Sequence, residues 1–162
     1  MRTWADRPIE IRNLFNPAFC GVVLQRALKG FEEIDTKGMP YSLSLLVLPL
    51  SLHMATRRTI AAHPRTHLLS TIETNPHLRV EFDSRVRDLL PFTHEAFALL
   101  AQHGCIAVSD DGTIRTIEKS LRGTITGTPE SRSCQRVART VGREFAHIGD
   151  RATVYTTLGI RP

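Results

Sequence analysis

Few residues of this 162-residue sequence have types and spacings that suit chemistry. The closest histidine pair, His63 and His67, has the spacing of a helical metal site, but Pro64 lies between them and interrupts that helical face. We interpret both histidines as solvated or capping side chains. Cys105 would need an activating base beside it to act as a nucleophile, and we interpret it as the first residue of a β-strand.

Motifs of known catalytic sites are absent from the sequence. It contains no GxSxG turn, no GxGxxG or P-loop phosphate cradle, and no HExxH metal motif. Asp110 and Asp111 are explained as turn formers at the tip of a hairpin. The sequence therefore predicts a protein that is not an enzyme, with no catalytic residue, no metal ligand and no cofactor.

The three cysteines, Cys20, Cys105 and Cys134, are widely spaced and lie in apolar stretches. Such free cysteines are usually small core residues in a reducing compartment. The sequence starts without an apolar signal segment, and its most apolar run, 43–54, is too short for a membrane span of roughly twenty residues. We expect a cytoplasmic protein that does not bind membranes.

Arginine dominates the residues that could bind a partner. Of the 21 basic residues 18 are arginines, and the net charge is +5. The planar guanidinium suits phosphate and carboxylate partners, although a GC-rich genome would also favour arginine codons. Thr128-Pro129 is predicted to start a helix over 129–148. This helix places four of these arginines on one line opposite its apolar stripe, and we call them the arginine stripe: Arg132, Arg136, Arg139 and Arg143.

The arginine stripe is a candidate contact for DNA phosphates or for an acidic partner. Glu130 and Glu144 lie off its line, so no carboxylate of the same helix neutralises it. A solvated surface is the alternative, and the two interpretations are evenly balanced. A second basic group is interspersed with acidic residues, which favours a solvated surface; its members are Arg57, Arg58, Arg79, Arg85 and Arg87.

The elements that position these residues are mainly helices. Asn16-Pro17 and Asn75-Pro76 each place an N-cap acceptor before a proline at the first helical position. We expect Pro91 to end the helix that Asn75 begins, and Thr93 to cap another. Helices are thus predicted near 7–14, 17–35, 66–74, 76–90, 93–103 and 129–148.

The apolar segment 43–60 is predicted to be a buried helix that is kinked or split at Pro49, because proline cannot donate to a helical ladder. A strand over 43–48 is the alternative.

After Gly104, the segment CIAVSDDGTIRTI is predicted to form a β-hairpin. A three-residue loop, 110–112, pairs Val108 with Ile114 and places the apolar side chains on one face, with Gly112 left-handed.

This order of elements predicts a mainly α fold with a small β-hairpin, built on a winged helix-turn-helix-like core. We divide a single domain, 1–162, into N-terminal helices (1–38), a winged-helix-like core (39–118) and a C-terminal helix with a tail (129–162). A polar connector, 119–128, joins the last two parts. Arg115 lies on the wing and could reach a nucleic-acid groove.

Three stretches of the sequence carry a family resemblance: RPIEIRNLFNPAFCGVVLQRALKGF (7–31), GMPYSLSLLVLPLSLHMATR (38–57) and GDRATVYTTLGIRP (149–162). The chain resembles the middle component of three-component ABC systems, a family that includes the small subunit of Lamassu-type anti-phage defence. The first stretch is the most specific. Within it, Arg7 and Asn16 are candidate partner contacts, whereas Pro17 and Phe19 are better explained by structure.

The resemblance implies a non-catalytic adaptor that bridges an SMC-like ABC ATPase and an effector subunit, often a nuclease, in the manner of winged-helix kleisins. It also allows the complex to contact double-stranded DNA. The alternative function is a stand-alone winged-helix DNA-binding transcriptional regulator, which the wing and the arginine stripe favour.

Overall fold

The computed structural model describes residues 8, 9, 12 and 15–161. The prediction of a short helix over 7–14 falls largely outside these residues, and so does Arg7. Helix α1, Pro17–Glu32, lies at the centre of the fold, since no residue from Cys20 to its end is exposed. Its predicted N-cap is confirmed, because the Asn16 side chain accepts a hydrogen bond of 2.8 Å from the Ala18 amide.

Three short helices follow a two-residue strand, β1 (Met39–Pro40): α2 (Tyr41–Ser44), α3 (Val47–Leu52) and α4 (Met54–Ala62). The segment is helical, so the alternative of a strand over 43–48 is wrong. The predicted break at Pro49 is also wrong, because Pro49 is the third residue of α3. Amide groups in a first helical turn have no partner within the helix, so a proline there removes no hydrogen bond.

Helix α5, Leu68–Thr74, is followed by a 3₁₀ turn, Pro76–Arg79. The prediction that Asn75 caps a following α-helix is wrong. Its Nδ2 instead donates to the Thr71 carbonyl at 2.8 Å, which satisfies one of the free carbonyls at the end of α5.

Helix α6, Phe82–Gln102, is continuous, so the predicted stop at Pro91 and the predicted N-cap at Thr93 are both wrong. Pro91 is exposed, whereas Thr93 is fully buried and its hydroxyl donates to the Leu89 carbonyl at 3.0 Å. The buried face of α6 continues past the proline through Ala96 and Leu100. Burial of this face stabilises the helix more than one missing backbone hydrogen bond destabilises it. Gly104, at φ +64°, follows the end of the helix as predicted.

Strands β2 (Ile106–Val108) and β3 (Thr113–Thr116) form the predicted hairpin. The predicted register is confirmed, with Val108 opposite Ile114 and with Gly112 at φ +78°. The predicted apolar face of the hairpin is not buried throughout, because Val108 is 66% exposed although Ile114 opposite it is buried. Strand β1 pairs with the other edge of β3, which gives an antiparallel sheet of order β1-β3-β2 that the sequence pattern did not predict.

The last two helices are α7, Pro129–Ile148, and α8, Arg151–Thr157. Thr128 caps α7 as predicted, since its hydroxyl accepts from the Ser131 amide at 3.2 Å. Asp150 caps α8 by accepting from the amides of Ala152 and Thr153. The tail after α7 is therefore helical over Arg151–Thr157.

Helices α1 and α7 cross at backbone contact. A Cβ atom placed on Gly30 would overlap the carbonyl oxygen of Arg139, and one placed on Gly142 would overlap the carbonyl oxygen of Ala27. At this crossing, a glycine of each helix therefore lies directly against the backbone of the other helix. The predicted apolar stripe of α7 faces this contact, and Val141 and Phe145 are fully buried.

The described part of the chain forms a mainly helical α+β structure. Its core is one apolar cluster to which α1, the α2–α4 segment, α6, α7 and the sheet all contribute. Within the described residues, no helix is both long and apolar enough to cross a membrane.

Candidate interaction surfaces

The arginine stripe lies on α7 but is not uniform. Arg136, Arg139 and Arg143 are exposed, whereas Arg132 is half-buried. The Nε atom of Arg132 is buried and has no hydrogen-bond partner among the described residues. The three exposed arginines therefore form the part of the stripe that a partner can reach.

Glu33, just beyond the end of α1, interacts with two members of the stripe. Arg139 binds its Oε1 at 2.5–2.6 Å, and Arg143 lies 3.5 Å from its Oε2. Glu130 and Glu144 face elsewhere, as predicted, and pair with Arg57 and His67. A carboxylate from another helix thus neutralises part of the stripe, a contact that reasoning on α7 alone missed. Arg136 makes no ion pair with a described residue.

The remaining predicted contacts lie on other elements than the stripe. Arg115 is exposed on β3, and its side chain packs across Gly38, where an added Cβ would clash with it. Asn16 is exposed, but its side chain oxygen serves as the N-cap of α1. Asn16 therefore does not join the stripe, because it lies at the opposite end of α1 from Glu33. Arg115 is on the same strand as Thr116, which binds Glu32.

The second basic group is divided among different environments. Arg58 and Arg79 are exposed, and Arg87 is paired with Asp83 at 2.6 Å. Arg57 is only 4% exposed, and Arg85 is half-buried. The solvated interpretation therefore fits three of these residues and does not fit the other two.

Arg57 joins three helices. Its Nη1 donates to the Leu52 carbonyl at 2.9 Å and to the Ser51 carbonyl at 3.4 Å, at the end of α3. Its Nη2 donates to Glu130 in the first turn of α7 at 2.6 Å. Arg57 thus caps α3 from α4 and fixes the start of α7.

Arg26 is a second buried cation that sequence reasoning missed. It lies in α1 at 7% exposure, and its guanidinium donates to Gln25, to Gln135 and to the backbone carbonyls of Arg122 and Thr124. No carboxylate of the described residues pairs with it, and burial together with the nearby Arg139 lowers its pKa. Arg26 therefore holds the connector 119–128 against α1.

The cysteines are buried, free thiols, as predicted. Burial raises the pKa of Cys20 to about 12 and also raises the pKa of Cys134. Both thiols therefore stay protonated at neutral pH.

The two histidines with the spacing of a metal site make separate contacts. His63 contacts the Thr59 carbonyl, and His67 contacts Glu144.

A cleft of about 630 Å³ opens where the start of α4, the first half of α6 and the start of α7 meet. We call it the Met54 cleft. Most of its surface is apolar, and Phe15, Phe19, Leu52, Met54 and Leu89 are among the residues that line it, with Arg57, Arg85 and Asp88 among the charged ones. One feature of the sequence indicates this cleft: apolar and charged residues lie on the same face of α6 around Arg85.

His53 lies at this cleft and caps α4. Its Nδ1 atom accepts from the Thr56 amide at 3.4 Å and lies 2.8 Å from the Thr56 hydroxyl. Burial, with Arg85 and Arg57 nearby, lowers its pKa. His53 is therefore neutral at physiological pH, and the capping contact requires this form.

Comparison with known protein families identifies the chain. The model of Middle Component 3 of ABC-three component (ABC-3C) systems matches residues 4–162. Comparison with curated proteins and with solved structures finds no match. The matched region contains all of α1–α8, both buried arginines and the arginine stripe. The chain therefore belongs to the Middle Component 3 family of ABC-three component systems.

Proposed function

We propose that this protein is a non-catalytic adaptor that bridges an SMC-like ABC ATPase and an effector subunit, such as a nuclease, in a cytoplasmic anti-phage defence complex. The observation that carries the proposal is the family match over residues 4–162, since a middle component of such a system works with other components. The resemblance to Lamassu-type small subunits supports the finer assignment of partners.

The features of the described surface support binding rather than catalysis. Three arginines are exposed on α7, and apolar side chains such as Met54 and Val108 are half or more exposed. Burial keeps the Cys20 and Cys134 thiols protonated, which does not suit a nucleophile. Exposed apolar and arginine side chains are typical of protein interfaces.

Co-purification tests this function. We expect the tagged full-length chain, expressed with the other products of its gene cluster, to elute in one complex with an ATPase and an effector. Because such interfaces bury apolar side chains as well as ion pairs, the complex should persist when salt is raised from about 0.1 to 0.5 M. A chain that elutes alone at every salt concentration would contradict the adaptor function.

Contact with duplex DNA is a second proposed function, either within the complex or by a stand-alone regulator. We propose that residues 39–118 form a winged-helix-like core. The position of β1 before the central helices, the hairpin after them, and the sheet order β1-β3-β2 support this assignment. The exposed Arg115 on β3 and the exposed Arg136 and Arg143 on α7 are the candidate phosphate contacts.

Replacing Arg136 and Arg143 with alanine tests the DNA contact. Neutral replacements avoid repulsion with Glu33, which Arg143 approaches. If each arginine contacts one phosphate, the plot of log affinity against log salt should become less steep by about 1.8 for the two residues. Fluorescence anisotropy with a duplex of about 20 base pairs measures this slope.

The matched control is the double replacement of Arg58 and Arg65, two arginines that are also exposed and lie outside the stripe. We expect the control to leave the slope unchanged. Equal losses in both variants would indicate a general charge effect. If the Arg136 and Arg143 variant instead fails to assemble with the other components, the stripe is a protein contact.

A further inference from the structure

The Met54 cleft contains a cation that the fold leaves without a full set of acceptors. The Nη1 atom of Arg85 is buried and has no hydrogen-bond partner among the described residues. Its Nη2 atom makes one long hydrogen bond, 3.4 Å, to the Val80 carbonyl. Leaving a buried charged donor unpaired is unfavourable, and burial correspondingly lowers the pKa of Arg85.

The guanidinium of Arg85 lies over the Phe82 ring, 5.6 Å from its centroid, and the charge of Glu81 partly offsets its burial, but no charged group among the described residues that line the cleft forms an ion pair with it. Glu130 is bound to Arg57 at 2.6 Å, and His53 is neutral. Asp88 lines the cleft but is exposed, and it forms no ion pair with Arg85. The guanidinium of Arg85 therefore has capacity for an acceptor from outside the chain.

The walls around Arg85 are apolar and partly open. Met54 is 50% exposed at the rim, Leu89 is buried at 7% exposure, and Phe15 is stacked on Phe92 with ring centroids 4.7 Å apart. A volume of about 630 Å³ is large enough for an aromatic or a branched aliphatic side chain with its neighbours. An apolar wall beside an unpaired guanidinium suits an apolar group that carries a carboxylate nearby.

We propose that the Met54 cleft receives an apolar side chain, together with a neighbouring Asp or Glu carboxylate that binds Arg85, from a segment of another component of the ABC-3C system. This proposal rests on the adaptor function proposed above. It assigns to that function a docking site on α4, α6 and α7, separate from the arginine stripe on the outer face of α7.

A photo-crosslinker tests the docking site in the assembled complex. Met54 is replaced with p-benzoylphenylalanine in the full-length chain, which is co-expressed with the other products of its gene cluster. We expect irradiation to link position 54 to another component, at a residue within about four positions of an Asp or Glu. The same replacement at Val108, which is 66% exposed on β2, is the matched control.

Substitutions at Arg85 test the carboxylate contact. Arg85→Met keeps the length of the side chain and removes its charge, and we expect it to reduce the crosslinking at position 54 at least fivefold. Arg85→Lys should restore most of it. Crosslinking at position 108 should not respond to either change.

Thermal unfolding of the free chain separates binding from structure. Because Arg85→Met removes a half-buried cation whose Nη1 atom has no acceptor among the described residues, the melting temperature should stay the same or rise. A structural role for Arg85 would lower it. A chain of equal or higher melting temperature that crosslinks less is the combination that only a binding role produces.

The outcomes distinguish this proposal from the adaptor function. If the complex forms but position 54 does not crosslink, or Arg85→Met leaves the crosslink unchanged, the docking site is wrong and the adaptor function stands. If position 54 crosslinks to its own chain or to a second copy, the proposed occupant is wrong. If no complex forms with the unmodified chain, both proposals are overturned.

Discussion

Replacing Gly142 with alanine should destabilise the protein by about 2–3 kcal/mol, the upper part of the range for overpacking a buried contact. The added methyl group would overlap the carbonyl oxygen of Ala27, which belongs to the backbone of α1 and cannot move as a side chain can. The two helices would have to separate along their whole contact. The higher helix propensity of alanine, worth about 1 kcal/mol, offsets only part of this cost.

Gly30→Ala should have a similar effect, since its methyl group would overlap the carbonyl oxygen of Arg139 on α7. Both glycines lie in the centre of the α1–α7 crossing, and α1 is covered on nearly every side. The displaced helices therefore have no exposed surface towards which they can relax. Urea unfolding followed by circular dichroism measures both variants.

Gly21→Ala is the matched control. Gly21 is also buried in α1, but its added methyl group would meet the Leu100 side chain at 3.4 Å, an ordinary van der Waals contact. We expect a change between zero and a gain of about 1 kcal/mol from helix propensity. If Gly142→Ala is as stable as Gly21→Ala, the close crossing of α1 and α7 is wrong.

Replacing Arg57 with alanine should cost about 2–4 kcal/mol, because hydrogen bonds of a buried charged group are lost and its packed methylenes are removed with them. Its guanidinium satisfies the Leu52 carbonyl at the end of α3 and holds Glu130 at the start of α7. Without it, the end of α3 loses its cap and α4 loses its link to α7. The free energy of unfolding in urea again provides the measurement.

The partner of Arg57 should matter much less. The Glu130 side chain is 69% exposed, and exposed ion pairs contribute about 0–1 kcal/mol. We therefore expect Glu130→Gln to destabilise the protein by no more than about 1 kcal/mol, although it breaks the same ion pair. Equal losses from Arg57→Ala and Glu130→Gln would show that the ion pair, and not the capping of α3, is the stabilising contact.

The helix starts and the turn that depend only on residues close in sequence were predicted correctly. Asn16-Pro17 and Thr128-Pro129 each supply an acceptor and a fixed φ angle, so the starts of α1 and α7 were correct. The register of the β2–β3 hairpin followed from a short loop and a left-handed Gly112. The arginine stripe was visible because helical periodicity alone places its members on one line.

The predictions that failed depended on contacts distant in sequence. Pro91 is a strong local signal for a helix end, yet α6 continues because its far half is buried against the core. Pro49 carries the same signal, but its effect depends on where the first turn of α3 begins. Strand β1 has only two residues and exists because β3 lies beside it.

For the arginines, the sequence predicted their positions on a helix but not the groups that they contact. Residue type and helical spacing alone predicted that Arg132, Arg136, Arg139 and Arg143 share a side of α7. Only the tertiary structure decided that Glu33 pairs with two of them, that Arg57 caps α3, and that the Nη1 atom of Arg85 has no acceptor among the described residues. The reason is physical: the energy of a buried or paired charge depends on which atoms surround it, and folding brings those atoms together from distant parts of the chain.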